Sequence, residues 1–175
     1  MKRPRVPAVL VAALALTAGC TSVIRDPVAV AVGAAGTPVA SAGAGLGPRS
    51  PDGGYWPRTV QLGQSSDLGQ VVLDGQGFTL YRFDRDAADP PRSSCVDSCA
   101  TKWPPVLANE SIKFQNLDPG KIGVATRGDG TRQVTLGGRP LYRFSADQVP
   151  GQANGEGVDG QWFVAAPDGA KAAAN

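Results

Sequence analysis

The sequence predicts a mainly β fold. The expected form is a compact single domain built from two tandem β-hairpin repeats around a shared core, with a short helical turn near a cysteine pair. Three observations predict it. "LYRF" stands at 80–83 and again at 141–144. Each copy follows a glycine-bearing turn and leads to an Asp at the same offset, Asp86 or Asp147, and then to Trp103 or Trp162. With 23 Gly and 15 Pro, the chain is cut into short runs without sustained helical periodicity.

The N-terminus reads as an export signal. Lys2, Arg3 and Arg5 precede an uncharged stretch, "VPAVLVAALALTAG", which ends at Cys20. A basic start, a short apolar run and small residues before the cut describe a signal peptide. The run falls short of the roughly 20 apolar residues of a permanent span. A cysteine directly after "LTAG" resembles a lipobox, with Thr17 three residues before it where Leu is commoner. The expectation is a lipoprotein signal over 1–19, cleavage before Cys20, and acylation of that cysteine. Its partner is then the lipid bilayer, since buried acyl chains contribute about 0.8 kcal/mol per CH₂. Residues 20–51 are Ala, Gly, Val, Pro and Ser with few large side chains. Such a segment cannot offset its ordering entropy by burial and reads as a flexible tether. The formal charge is +2, and three positive charges lie in the removable leader. A near-neutral mature chain argues against a nucleic-acid partner.

The folded part is expected over 52–169, with repeat one at about 58–107 and repeat two at about 121–169. Units of about 60 residues are marginal alone, so the repeats should share a core. In repeat one, "VVL", "DGQG" and "FTLYRF" read as arm, turn and arm. Strand alternation puts Tyr81 and Phe83 on one face, with Leu80 and Arg82 on the other. The Arg heads are expected to reach water. With Cys20 assigned to lipid, Cys95 and Cys99 are left as each other's partner in an oxidising compartment. Their short loop predicts about 2 kcal/mol of stabilisation. "SSCVDSCATKW" reads as a helical turn, stopped where Trp103 precedes Pro104 and Pro105. In repeat two, "GVATR" with "TRQVTL" reads as one hairpin and "RQVTL" with "RPLYRF" as another. Tyr142 and Phe144 then face as Tyr81 and Phe83 do, and the two strands should be related by a pseudo-twofold. Trp103 and Trp162 join these four as core aromatics. Residues 170–175 read as a frayed tail.

Together "DGQGFTLYRFDRD", "SSCVDSCATKWPPV", "GGRPLYRFSAD" and "GQWFVAAPDG" resemble the secreted-repeat lipoproteins of bacteria. That family carries a tandem Tyr-x4-Asp motif, matched here by Tyr81 with Asp86 and by Tyr142 with Asp147. The likeness covers roughly residues 58–169. It implies an envelope-anchored tandem-repeat β domain and supplies no active site.

The chemistry on offer is narrow. There is no His, and the only Met is Met1. That removes the commonest general base, zinc ligand and haem ligand, and no Ser-His-Asp triad is possible. No cofactor and no enzymatic activity are expected. In the motif, Tyr is read as core, and Asp as capping the turn after the strand. Against this stands a ligand reading. Asp84, Asp86 and Asp89 cluster in one connection; Asp147, Asn154, Glu156 and Asp159 cluster in the other and are the candidate calcium ligands. "RGD" at 127–129 invites an adhesion reading but also suits a hairpin turn. Tyr81, Trp103, Tyr142 and Trp162 could relay electrons, though packing is the commoner use of buried rings. The functional expectation is a membrane-anchored, non-catalytic binding or structural module of the envelope, its ligand or envelope partner unknown. The alternatives are a metal-binding or redox-associated lipoprotein, or a carboxylate-based hydrolase of envelope polymers.

Overall fold

The computed structural model describes residues 54–173. The expected signal peptide, Cys20 and the tether to residue 51 lie outside them. Among the described residues no helix is long and apolar enough to cross a membrane.

The chain runs through β1 (Thr59–Ser65), β2 (Gly69–Asp74), β3 (Tyr81–Phe83), β4 (Ala87–Ala88), β5 (Pro91–Arg92) and α1 (Ser98–Lys102), then β6 (Lys113–Gln115), β7 (Ile122–Thr126), β8 (Arg132–Leu136), β9 (Arg139–Pro140) and β10 (Trp162–Val164). It is mainly β, as expected. One sheet has the order β2-β1-β6, with β1 antiparallel to β2 and parallel to β6. Another has the order β7-β8-β9. There β7 and β8 form the expected hairpin, with Ile122 opposite Leu136 and Thr126 opposite Arg132. The double-glycine turn from β8 to β9 holds Gly137 and Gly138 at φ 53° and 78°. A Cβ at Gly137 would lie 2.1 Å from the Asp168 carbonyl oxygen, so this turn admits only glycine.

The hairpins of the two repeats also exchange strands. β2 turns into "FTLYRF" as expected: Leu73 stands opposite Thr79, Asp74 N–H donates to the Phe78 carbonyl, and Leu80 N–H donates to the Val72 carbonyl. The full-length partner of β2 is β1. β3 instead pairs antiparallel with β10 of the second repeat, Tyr81 facing Val164 and Phe83 facing Trp162. Reciprocally, the second "LYRF" binds the first repeat's proline segment: Val106 N–H donates to the Leu141 carbonyl, and Arg143 N–H to that of Pro104. Between these exchanges Tyr81 and Tyr142 pair directly, each N–H donating to the other's carbonyl at 2.9 Å. The expected pseudo-twofold therefore passes between the two tyrosines.

Strand alternation divides the interior as predicted. One face gathers Tyr81, Phe83, Trp103, Tyr142, Phe144, Trp162 and Cys95. The other gathers Leu80 and Leu141 with Val60, Val72, Val106, Val134 and Leu136. Both clusters draw on both repeats, so neither repeat owns a complete core. α1 forms where the cysteine segment was expected to turn, and Trp103 N–H closes it on the Cys99 carbonyl at 2.7 Å. Cys95 and Cys99 are joined by the expected disulfide.

Two expectations are corrected. The arginine heads do not reach water. Arg143 is fully buried; its Nη1 donates to Asp74 Oδ2 at 2.7 Å, and its guanidinium lies 3.7 Å from the Phe78 ring centre. Arg82 donates to the Gly169 carbonyl and to Asp84. A delocalised guanidinium can be buried where a carboxylate and an aromatic face replace water. The chain end also does not fray from residue 170. Lys171 bridges to Ala165, and Ala172 N–H donates to the Val164 carbonyl while its side chain packs into the aromatic cluster.

Candidate functional site

The Tyr-x4-Asp motif is completed crosswise. Tyr81 Oη donates to Asp147 Oδ2 at 2.6 Å, and Tyr142 Oη donates to Asp86 Oδ2 at 2.6 Å. Each tyrosine thus reaches the aspartate of the other repeat. The local geometry that presents the aspartates is repeated too. Asp86 N–H donates to the Phe83 carbonyl and Asp147 N–H to the Phe144 carbonyl, a tight turn just past each strand. The second oxygen of each carboxylate anchors the loop that follows. Asp86 Oδ1 accepts from Ser94 N–H and Oγ–H, and Asp147 Oδ1 accepts from Asn154 N–H. The expectation that these aspartates cap turns therefore holds for one oxygen only; the other serves the opposite repeat.

All four groups are buried. Desolvation is the main cause that pushes both carboxyls above the usual carboxylate range, opposed by their hydrogen bonds. Burial, reinforced by the neighbouring carboxylates, pushes both phenols well above their ordinary value. Each hydroxyl has a second partner: Tyr142 Oη meets Ser93 Oγ at 2.7 Å, and Tyr81 Oη accepts from Gly155 N–H at 3.2 Å. Gly155 is required there, since a Cβ would meet the Tyr81 and Trp103 rings at 2.6 and 2.8 Å.

Between the two pairs stands a column of rings. Phe83 stacks on Trp162 at 4.1 Å between centroids, Trp162 on Trp103 at 3.8 Å with 1° between planes, and Trp103 on Phe144 at 4.2 Å. Tyr81 meets Trp103 edge-on at 5.4 Å, and Tyr142 meets Trp162 edge-on at 5.1 Å. Every motif tyrosine and every core aromatic expected from sequence lies in this one cluster.

The calcium candidates are not gathered. Among the described residues no group of three or more acidic, Cys or His side chains is placed to hold a metal ion. Asp147 and Asn154 meet, through the Asn154 N–H and its side chain, which leaves that carboxylate hydrogen-bonded. Glu156 accepts from Val164 N–H and so anchors β10, while Asp159 is exposed. The RGD arginine is also internal. Arg127 is buried and donates to Ser93 Oγ, Gln133 Oε1 and the Cys95 carbonyl, tying the disulfide segment to β8. This removes the adhesion reading.

Sequence reasoning missed the Asp74–Arg143 pair and the Ser93–Arg127–Gln133 network. Their only sequence signal is polar residues at inward strand positions, which alternation alone cannot separate from solvated ones. It also missed a cleft of about 450 Å³, lined by residues including Tyr55, Trp56, Arg58, Asp74 and Gln76.

A tandem-repeat β domain with its repeats locked by exchanged strands and crossed Tyr–Asp bonds is the class that fold and site define. Residues 64–107 and 123–166, together half of the chain, match the family described as a secreted repeat of unknown function, and the chain belongs to that family. It is accordingly an extracytoplasmic protein. No curated protein and no solved structure was found to match it.

Proposed function

We propose that this chain is a lipoprotein held to the bacterial cell membrane through acylated Cys20, and that its repeat domain acts as a non-catalytic binding or structural module of the envelope. One observation supports this above others. The motif that defines the repeat is turned inward and spent on itself, each Tyr on the opposite Asp. The two motif carboxylates are buried and already hydrogen-bonded, which takes them away from acid–base work on a substrate. A partner is then met at the surface, and the cleft beside half-buried Trp56 offers aromatic area next to hydrogen-bonding groups such as Arg58 and Gln76, suited to a polar envelope glycan.

The test uses the full chain expressed in a bacterium, with Cys20→Ser beside it. The native chain should fractionate with membranes and the variant should be released. The purified protein is then titrated with peptidoglycan fragments while its tryptophan fluorescence is followed. Saturable binding lost in Trp56→Ala, with no turnover of the fragments, is the expected result. Cleavage of the fragments that stops in Asp86→Asn or Asp147→Asn would overturn the non-catalytic reading.

A further inference from the structure

We propose that the aromatic column is a one-electron relay, with the stacked Trp103–Trp162 pair as the centre that is oxidised and the two crossed Tyr–Asp pairs as its proton-coupled ends. The geometry argues for more than packing. Aromatic pairs in cores usually keep their centroids about 4.5–7 Å apart; four rings here stack in a row at 3.8 to 4.2 Å. Overlapping indoles share a positive hole, which lowers the cost of making one. Both tyrosines touch this pair edge-on, one on each indole. Each phenol is also given a carboxylate at 2.6 Å. A backbone carbonyl would satisfy a buried hydroxyl with far less desolvation cost than a buried carboxylate. What the carboxylate adds is a base able to take the phenol's proton.

A one-electron oxidant of the anionic metal-complex class removes an electron from the indole pair. Tyr81 or Tyr142 refills the hole. As that tyrosine loses its electron, its O–H bond breaks and the proton passes along the hydrogen bond to Asp147 or Asp86. The products are a neutral phenoxyl radical and a carboxylic acid, with one electron on the oxidant. A quinol-class reductant returns one electron to the phenoxyl as the carboxylic acid gives its proton back to the phenol oxygen, and the quinol leaves as a semiquinone with its own proton released to water. The entry point is a shallow groove of about 390 Å³ whose lining includes Phe83, Arg85, Lys102, Trp103, Asp159 and Trp162. Arg85 and Lys102 are exposed there, so an anion is drawn to the indole edges.

The test is stopped-flow oxidation of the full chain, kept soluble by Cys20→Ser, with hexachloroiridate(IV), followed by absorbance and electron paramagnetic resonance. A tyrosyl radical should form. Tyr81→Phe with Tyr142→Phe should abolish that signal and leave an indole radical. Asp86→Asn with Asp147→Asn should slow tyrosyl formation at least tenfold. The surface pair Arg85→Glu and Lys102→Glu should slow oxidation at least tenfold with the near-ultraviolet dichroism unchanged, so the relay stays testable if a buried variant fails to fold. An undiminished tyrosyl signal in the double Phe variant would place the radical on Tyr55 and sink the relay. So would tyrosyl formation unslowed by the Asn substitutions, or oxidation unslowed by the Glu substitutions, in folded protein.

Discussion

Tyr81 and Tyr142 bring hydroxyls into an interior where an unsatisfied polar group costs about 1–3 kcal/mol. Each is answered by a carboxylate that is itself buried. This has a consequence for pH. Because burial raises the carboxyls of Asp86 and Asp147, the native state binds their protons more tightly than the unfolded chain does. Their contribution to stability should therefore grow as pH falls from the folded values toward about 4, the unfolded value, the reverse of ordinary acid unfolding. Urea melts across that range should show this slope, and Asp86→Asn with Asp147→Asn should flatten it. The raised phenols act at the other end: their contribution is complete below about pH 10 and is lost as pH rises further. Asp74 makes a second prediction. Its carboxylate neutralises fully buried Arg143 and accepts from the Gln76 and Phe78 N–H groups. Asp74→Ala removes the carboxylate bonded to Arg143 Nη1 from a fully buried cation and should cost about 3–5 kcal/mol by denaturant unfolding. Tyr, Phe and Trp at alternating positions were legible as core in the sequence. Arg82 and Arg143 were not, because a strand pattern shows which face a side chain takes and not which partner waits there.

At the scale of elements, alternation, turn glycines and the cysteine spacing foretold the β7–β8 hairpin, the facing of both "LYRF" strands and the α1 turn. They did not foretell partners. β3 is only three residues long and offers little pairing of its own. It gains β10 on one side and meets Tyr142 by a bridge, both from the other repeat. Pairing of that kind depends on where distant segments arrive, which local pattern does not encode. The exchange predicts the behaviour of the halves. Residues 54–117 expressed alone lack β10 and Tyr142, and 118–173 lack the proline segment that receives Arg143 N–H. Each half should show no near-ultraviolet dichroism by itself, and mixing them should restore it. An independently folded half would mean that the exchanged strands are dispensable.

For the whole molecule, the repeated motif was readable, and its purpose was half readable. Tyr-x4-Asp was expected to work inside each repeat, with Asp capping its own turn. The fold uses it between repeats, so that each copy is completed by the other around a pseudo-twofold through Tyr81 and Tyr142. Sequence reasoning assigned Tyr to the core and Asp to its own turn, with no bond between them, because nothing local reveals a crossing. The crossing also accounts for two copies in so small a domain: the donor of each copy is bonded to the acceptor of the other. The measurement that tests this most directly is a set of double-mutant cycles by denaturant unfolding, with Tyr81→Phe and Tyr142→Phe each combined with Asp86→Ala and Asp147→Ala. Crossed pairing predicts coupling of about 1.5–3 kcal/mol for Tyr81 with Asp147 and for Tyr142 with Asp86, the range for hydrogen bonds to charged groups. It predicts near-additivity for Tyr81 with Asp86 and for Tyr142 with Asp147. Coupling found within the repeats and missing between them would contradict the account.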